Sequence, residues 1–113
     1  PAYAGCEIQV LDDSAPQYAE GKPWQYHGSV YGVVPAQRGY LRPVGEWNFQ
    51  QVTVRGPRIT VELNGTTIVD HDVAPLPTHL CERHTGKDRT EGHFGFCGHN
   101  DTVAFRSVRL RPL

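Results

Sequence analysis

This 113-residue chain contains no methionine, no apolar run approaching the ~20 residues a membrane helix needs, and no surplus of basic charge. Each absence narrows what the chain can be. Lys and Arg together number 11 against 12 Asp and Glu, a formal charge of −1, so the phosphate-neutralising surface of a nucleic-acid binder is missing and nucleic acid is not an expected partner. No membrane span is expected either. A start at Pro1, directly before strand-like residues and without Met, suggests a processed or excised segment. Cysteine is scarce: Cys6, Cys81 and Cys97 allow at most one internal disulfide and do not decide the compartment. No helical period persists beyond about two turns, and neither an internal repeat nor a low-complexity tract is present.

What is present points to β-structure. Twelve glycines and nine prolines punctuate clusters of β-branched and aromatic residues, the pattern of strands joined by turns. Strands are expected near 6–11, 28–34, 47–55, 58–63, 66–72, 92–97 and 102–111. The strongest local signal is ITVELNGTTIVD, where Ile59, Val61 and Leu63 alternate with Thr60 and Glu62 before Asn64-Gly65 supplies the positive φ angles of a two-residue hairpin. Upstream, RGPR at 55–58 implies a second tight turn and a three-stranded meander over 47–72. Its buried residues are expected to be Val52 and Val54, then Ile59, Val61 and Leu63, then Ile68 or Val69. In TVAFRSVRLRPL the apolar residues change parity between Phe105 and Val108, which a bulge near Arg106-Ser107 would reconcile. Long connections over 12–27, 35–46 and 73–91 are of the kind that often carries function. The expected fold class is all-β, an antiparallel β-sandwich forming one domain over residues 1–113.

Three constellations could carry chemistry. In the opening strand, GCEIQVLDD, alternation places Ile8 and Val10 toward a core and Glu7 and Gln9 on the other face, continued by Asp12 and Asp13. A carboxylate held on a sheet suits general-base or metal-ligand duty; an ordinary solvated face explains the same pattern. HFGFCGHND sets His99 at a strand end beside Gly98, Asn100 and Asp101, suited to an acid, base or ligand role or to a surface position. Zinc held by His79, Cys81, His84, Cys97 and His99 would lack any of the usual paired spacings. Trp24, Tyr26 and Tyr31, with Tyr18 and Tyr40 nearby, offer flat rings beside hydrogen-bonding groups, the combination that holds sugars. Packing accounts equally for Trp24, and better for Trp47.

Taken together, GCEIQVLDD, KPWQYHGSVYGVVPAQRGYLRPVGEWNFQQVTVRGPRITVELNGTTIVD and GHFGFCGHNDTVAFRSVRLRPL resemble the 3-keto-disaccharide hydrolase domain family, formerly a domain of unknown function. The resemblance implies a concanavalin-like jelly roll with one concave sheet able to hold saccharide, in a bacterial protein that is periplasmic or secreted. Members usually carry a further N-terminal half, so it also implies a sandwich incomplete at the N-terminus, with self-association or pairing with a missing N-terminal segment. The chemistry implied is cleavage of a glycosidic bond in a sugar oxidised to a ketone at C3. Carried over residue by residue, Glu7 and His99 share acid/base or metal-ligand duty, Gln9 binds substrate or metal, Asp12 binds substrate, Trp24 and Tyr31 frame the sugar, and Arg106 either binds a hydroxyl or enolate oxygen or makes a structural salt bridge. A divalent metal, held by Glu7, Gln9 and His99, is the cofactor such an enolate would accept. Two alternatives stand beside this one: a catalytically idle carbohydrate-binding module, and a structural piece completing a sandwich with another chain.

Overall fold

The computed structural model describes residues 4–80, 86–98 and 100–113. Its regular elements are three antiparallel strands in the order β1 (Gln50–Arg55), β2 (Arg58–Leu63) and β3 (Thr66–Asp72). Short 3₁₀ turns occur at Pro16–Tyr18, Pro23–Gln25 and Gly86–Asp88. The chain is thus all-β and antiparallel, as one layer of a sandwich requires.

The turn chemistry explains the meander. Asn64 and Gly65 take φ angles of 51° and 88°, the two left-handed residues of a type I′ hairpin. At the β1–β2 turn, Gly56 has φ of 56° and Pro57 follows, so the positive angle falls on the first central position only, as in a type II′ turn. Val61 pairs with Val69 but Glu62 pairs with Thr67, leaving Ile68 as the extra residue of a β-bulge. Ile68 and Val69 are therefore both buried, where strict alternation would have chosen one.

Ile59, Val61 and Leu63 form the core with Ile68, Val69 and Val73, covered by Val30, Val33, Val34 and Ala36. Ile8, Leu41 and Leu76 pack at its margin. The cover is tied to β3 where the Gln37 N–H donates to the bulge carbonyl of Ile68 at 3.0 Å. Gly28 lies beneath: its φ is +78° and a Cβ there would overlap Ile68 Cδ1.

The structure departs from the expected strands in three places. Val52 and Val54 pair with Val61 and Ile59 and so share the inner face, but the cover does not extend across β1 and both are exposed. Residues 6–11 and 28–34 contribute isolated bridges, Ile8 with Val30 and Val30 with Val34, in place of full strands. Val10, expected in the core, is exposed because the pairing ends at Gln9, whereas Ile8 is half-buried. Residues 92–97 and 102–111 form no ladder among the described residues, and Phe94, Phe96, Val103, Phe105, Val108 and Leu110 are exposed. Ser107 has φ of 53°, so the parity change there is a left-handed kink without a partner strand. Cys6 and Cys97 are free, and Cys81 lies outside the described residues.

Candidate functional site

The opening segment is held by backbone pairing. Tyr31 N–H donates to the Glu7 carbonyl at 2.9 Å and Gln9 N–H to the Ser29 carbonyl at 3.0 Å, on either side of the Ile8–Val30 bridge. Ile8 and Val30 turn to the core, so Glu7 lies beside Tyr31, and Gln9 beside Ser29, on the opposite face. Glu7, Gln9 and Tyr31 are half-buried there. Ser29 is fully buried, its Oγ accepting the Ala36 N–H at 3.0 Å. Gln25 Nε2 donates to the Tyr31 hydroxyl at 3.1 Å, while Gln9 Oε1 accepts the N–H of Val10 at 3.1 Å. Trp24 stacks on His79 with centroids 4.1 Å apart and planes within 7°, so a ligand could reach only the other face of the indole.

Downstream the chain bends into an open groove of about 560 Å³ lined by Asp12, Asp13, Ser14, Arg38, Gly39, Leu41, Arg42 and Pro43. Asp12 Oδ1 accepts both the Ser14 N–H (2.9 Å) and its hydroxyl (2.6 Å), bonds that hold the carboxyl below its ordinary value. Asp13 accepts the His27 N–H at 2.8 Å and faces Arg38 Nε at 3.6 Å. Arg38 in turn lies 3.5 Å over the Tyr26 ring. At the far wall Arg42 Nη1 approaches the Trp47 carbonyl at 3.4 Å, and the Arg106 guanidinium sits 4.0 Å over the Trp47 ring. Trp47 is thus 44% exposed and covered by a cation, where packing in the core or rim was expected.

The structure distributes the expected residues over two neighbourhoods on one continuous segment. Glu7, Gln9, Tyr31 and, through Gln25, the Trp24 turn share the first. Asp12 belongs to the second, joined through Arg42 and Trp47 to Arg106. His99 lies outside the described residues, as do Cys81 and His84 of the zinc pattern. Among the described residues no three His, Cys, Asp or Glu side chains gather as a metal site. Arg38, Arg42, His27 and Gln50 were not anticipated; the two arginines four apart in a Gly/Pro loop, RGYLRP, were the available signal.

The sequence profile of the 3-keto-alpha-glucoside-1,2-lyase-like domain matches residues 1–111. The chain belongs to this family. The chain is 28% identical over 127 aligned positions to the 3-keto-disaccharide hydrolase of Bacteroides thetaiotaomicron, an alignment covering 95% of this chain and 43% of that protein. A crystal structure of a Parabacteroides distasonis protein described as a glycosyl hydrolase superposes with a TM-score of 0.57 at 35% identity, over 59% of this chain and 34% of that one. The chain therefore spans less than half the length of either relative. Both neighbourhoods, from Glu7 to Arg106, lie within the residues that the family profile matches.

Proposed function

We propose that this domain takes part in cleaving the glycosidic bond of 3-keto-glycosides, with the sugar lying along the segment from Glu7 to Ser14. The observation that carries the proposal is the family match over residues 1–111, set on a segment whose backbone pairing places Glu7 beside Tyr31 and which leads into an open groove of mixed charge.

A ketone at C3 acidifies the C2 hydrogen. Glu7 accepts that proton, the electron pair forms the enolate, and the enolate expels the glycosidic oxygen from C1. His99 donates a proton to the leaving oxygen, and water then adds across the C1–C2 double bond to complete net hydrolysis. Gln9 and Tyr31 hydrogen-bond the ring hydroxyls, the open face of Trp24 supports an apolar sugar face, and Asp12 with Arg106 binds the far end of the substrate. Arg106 supplies positive charge to a developing oxyanion if the ketone oxygen lies on that side. A divalent ion on Glu7, Gln9 and His99 would supply further enolate stabilisation. The fold proposed around the site is a jelly roll whose concave sheet carries this face. The setting proposed is a bacterial protein acting outside the cytoplasm.

The test is turnover of a 3-keto-disaccharide by the full-length protein and its Glu7→Gln and His99→Ala variants, with the unoxidised disaccharide as control. Loss of at least about 100-fold in kcat for each variant is expected for a general acid or base. Unchanged turnover in both would remove these roles. The exposed Trp47 with its Arg106 cover favours one second reading, a saccharide-binding module without chemistry; it predicts calorimetric binding of ordinary oligosaccharides and no turnover of keto-sugars.

A further inference from the structure

His27 is a buried imidazole that belongs to neither set of proposed substrate contacts. Only 9% of the residue is exposed, and three parts of the chain meet on it. Its Nδ1 accepts the Leu11 N–H at 3.2 Å. Its own backbone N–H donates to Asp13 Oδ1 at 2.8 Å. Nε2 and Gln50 Oε1 of β1 are both buried and neither makes a well-formed hydrogen bond, although the Gln50 amide is near enough to favour a charged ring.

We propose that His27 is a proton-sensitive positioning residue whose neutral ring holds the Leu11 end of the segment leading into the groove, and that its protonation releases Leu11 while Asp13 stays held. The inference stands independently of the saccharide reading. Because Leu11 donates to Nδ1, the ring in place is the neutral tautomer with its proton on Nε2. A proton added at Nδ1 makes a second donor where the Leu11 N–H already points, so that hydrogen bond is lost. The imidazolium that results sits next to the Asp13 carboxylate, which Arg38 already faces at 3.6 Å. Asp13 is the carboxylate acting on the ring and Arg38 is its partner; β1 contributes the neutral Gln50. Burial holds the imidazole below its ordinary value against the pull of Asp13. The sign follows: Leu11 is fully held above about pH 6.5, where a free His is neutral, and is released as the pH falls from there toward the lowered value in the folded state.

The part released is the Leu11 end, directly before the groove-lining Asp12, whereas Asp13 stays on the His27 backbone N–H, which does not titrate, and faces Arg38 as before.

The test is hydrogen exchange at the Leu11 amide, read as a protection factor, together with the His27 ring proton shifts, in the full-length protein between about pH 7.5 and 5, above the range in which ordinary carboxylates titrate. Leu11 protection is expected to hold steady at the upper end and to fall by up to tenfold per pH unit in step with the ring titration. His27→Asn places a non-titrating oxygen acceptor where Nδ1 lies and is expected to keep Leu11 protected throughout. The proposal is overturned if the Asn variant loses protection with the same pH profile as the parent. Ring titration without any change at Leu11 overturns it as well, and that measurement needs no variant.

Discussion

The Asn64 side-chain amide donates to Asn48 Oδ1 at 2.8 Å, so the tip of the β2–β3 hairpin is fastened to the loop that carries Trp47. The same amide donates to the Tyr40 carbonyl at 2.7 Å, and Asn64 Oδ1 accepts the Phe49 N–H at 2.9 Å. One side chain, at a left-handed turn position, thus supplies three tertiary hydrogen bonds.

Asn64→Gly keeps the turn and removes all three bonds, whereas Asn64→Asp keeps the acceptor and removes the two donated ones. Each is expected to lower unfolding free energy by about 1–2 kcal/mol in urea, given the modest net worth of exposed hydrogen bonds, with Gly the more costly. A loss below the error of the denaturation curve in both variants would show that the loop is held by other contacts.

Gly28→Ala is expected to cost more than about 1 kcal/mol, because φ is positive and the new methyl meets Ile68 Cδ1. Ile68→Val deletes that carbon. The double variant should lose measurably less than the sum of the two single changes, a coupling read from a double-mutant cycle. Strict additivity would mean that the backbone angle alone sets the penalty.

Trp47→Ala should raise KM for a 3-keto-disaccharide to the same degree as Arg106→Ala, with kcat changed little, because the indole holds the guanidinium in place. An exposed pair of this kind contributes about 0.5–1 kcal/mol, which converts to a change of roughly two- to fivefold. Trp47→Phe should recover part of it. A Trp47 variant with parental KM while Arg106→Ala is impaired would separate the two residues.

Leu63, 2% exposed and set against β1 and the core, is the position where truncation should be felt most simply. Leu63→Ala is expected to cost about 2–5 kcal/mol, read by thermal or denaturant unfolding.

The hairpin was legible in the sequence because Asn-Gly between alternating residues has few other uses, and Ile59, Val61 and Leu63 lie where alternation puts them. Val52 and Val54 show the limit: period two names the face of a strand but not whether anything covers it. Residues 92–97 and 102–111 show it again, since alternation describes a strand only when a partner takes its hydrogen bonds. Glu7 beside Tyr31 follows from a strand pattern once the partner is known, and the partner lies 24 residues further along the chain. His27 left no trace in the pattern, because its importance comes from Leu11, Asp13 and Gln50 meeting it in space.

The bulge at Ile68 also decides what lies outside the sheet. Had β3 alternated without interruption, Asp70 would share a side with Ile68; the extra residue turns it outward instead, where Arg58 Nε and Nη2 grip its carboxylate at 2.8 and 2.7 Å and Thr60 adds a third bond at 3.0 Å. Those bonds hold Asp70 below its ordinary value. Deleting one of the two buried neighbours would dissolve the bulge yet leave Asp70 outward opposite Thr60, so the clasp would survive while the core lost one apolar side chain.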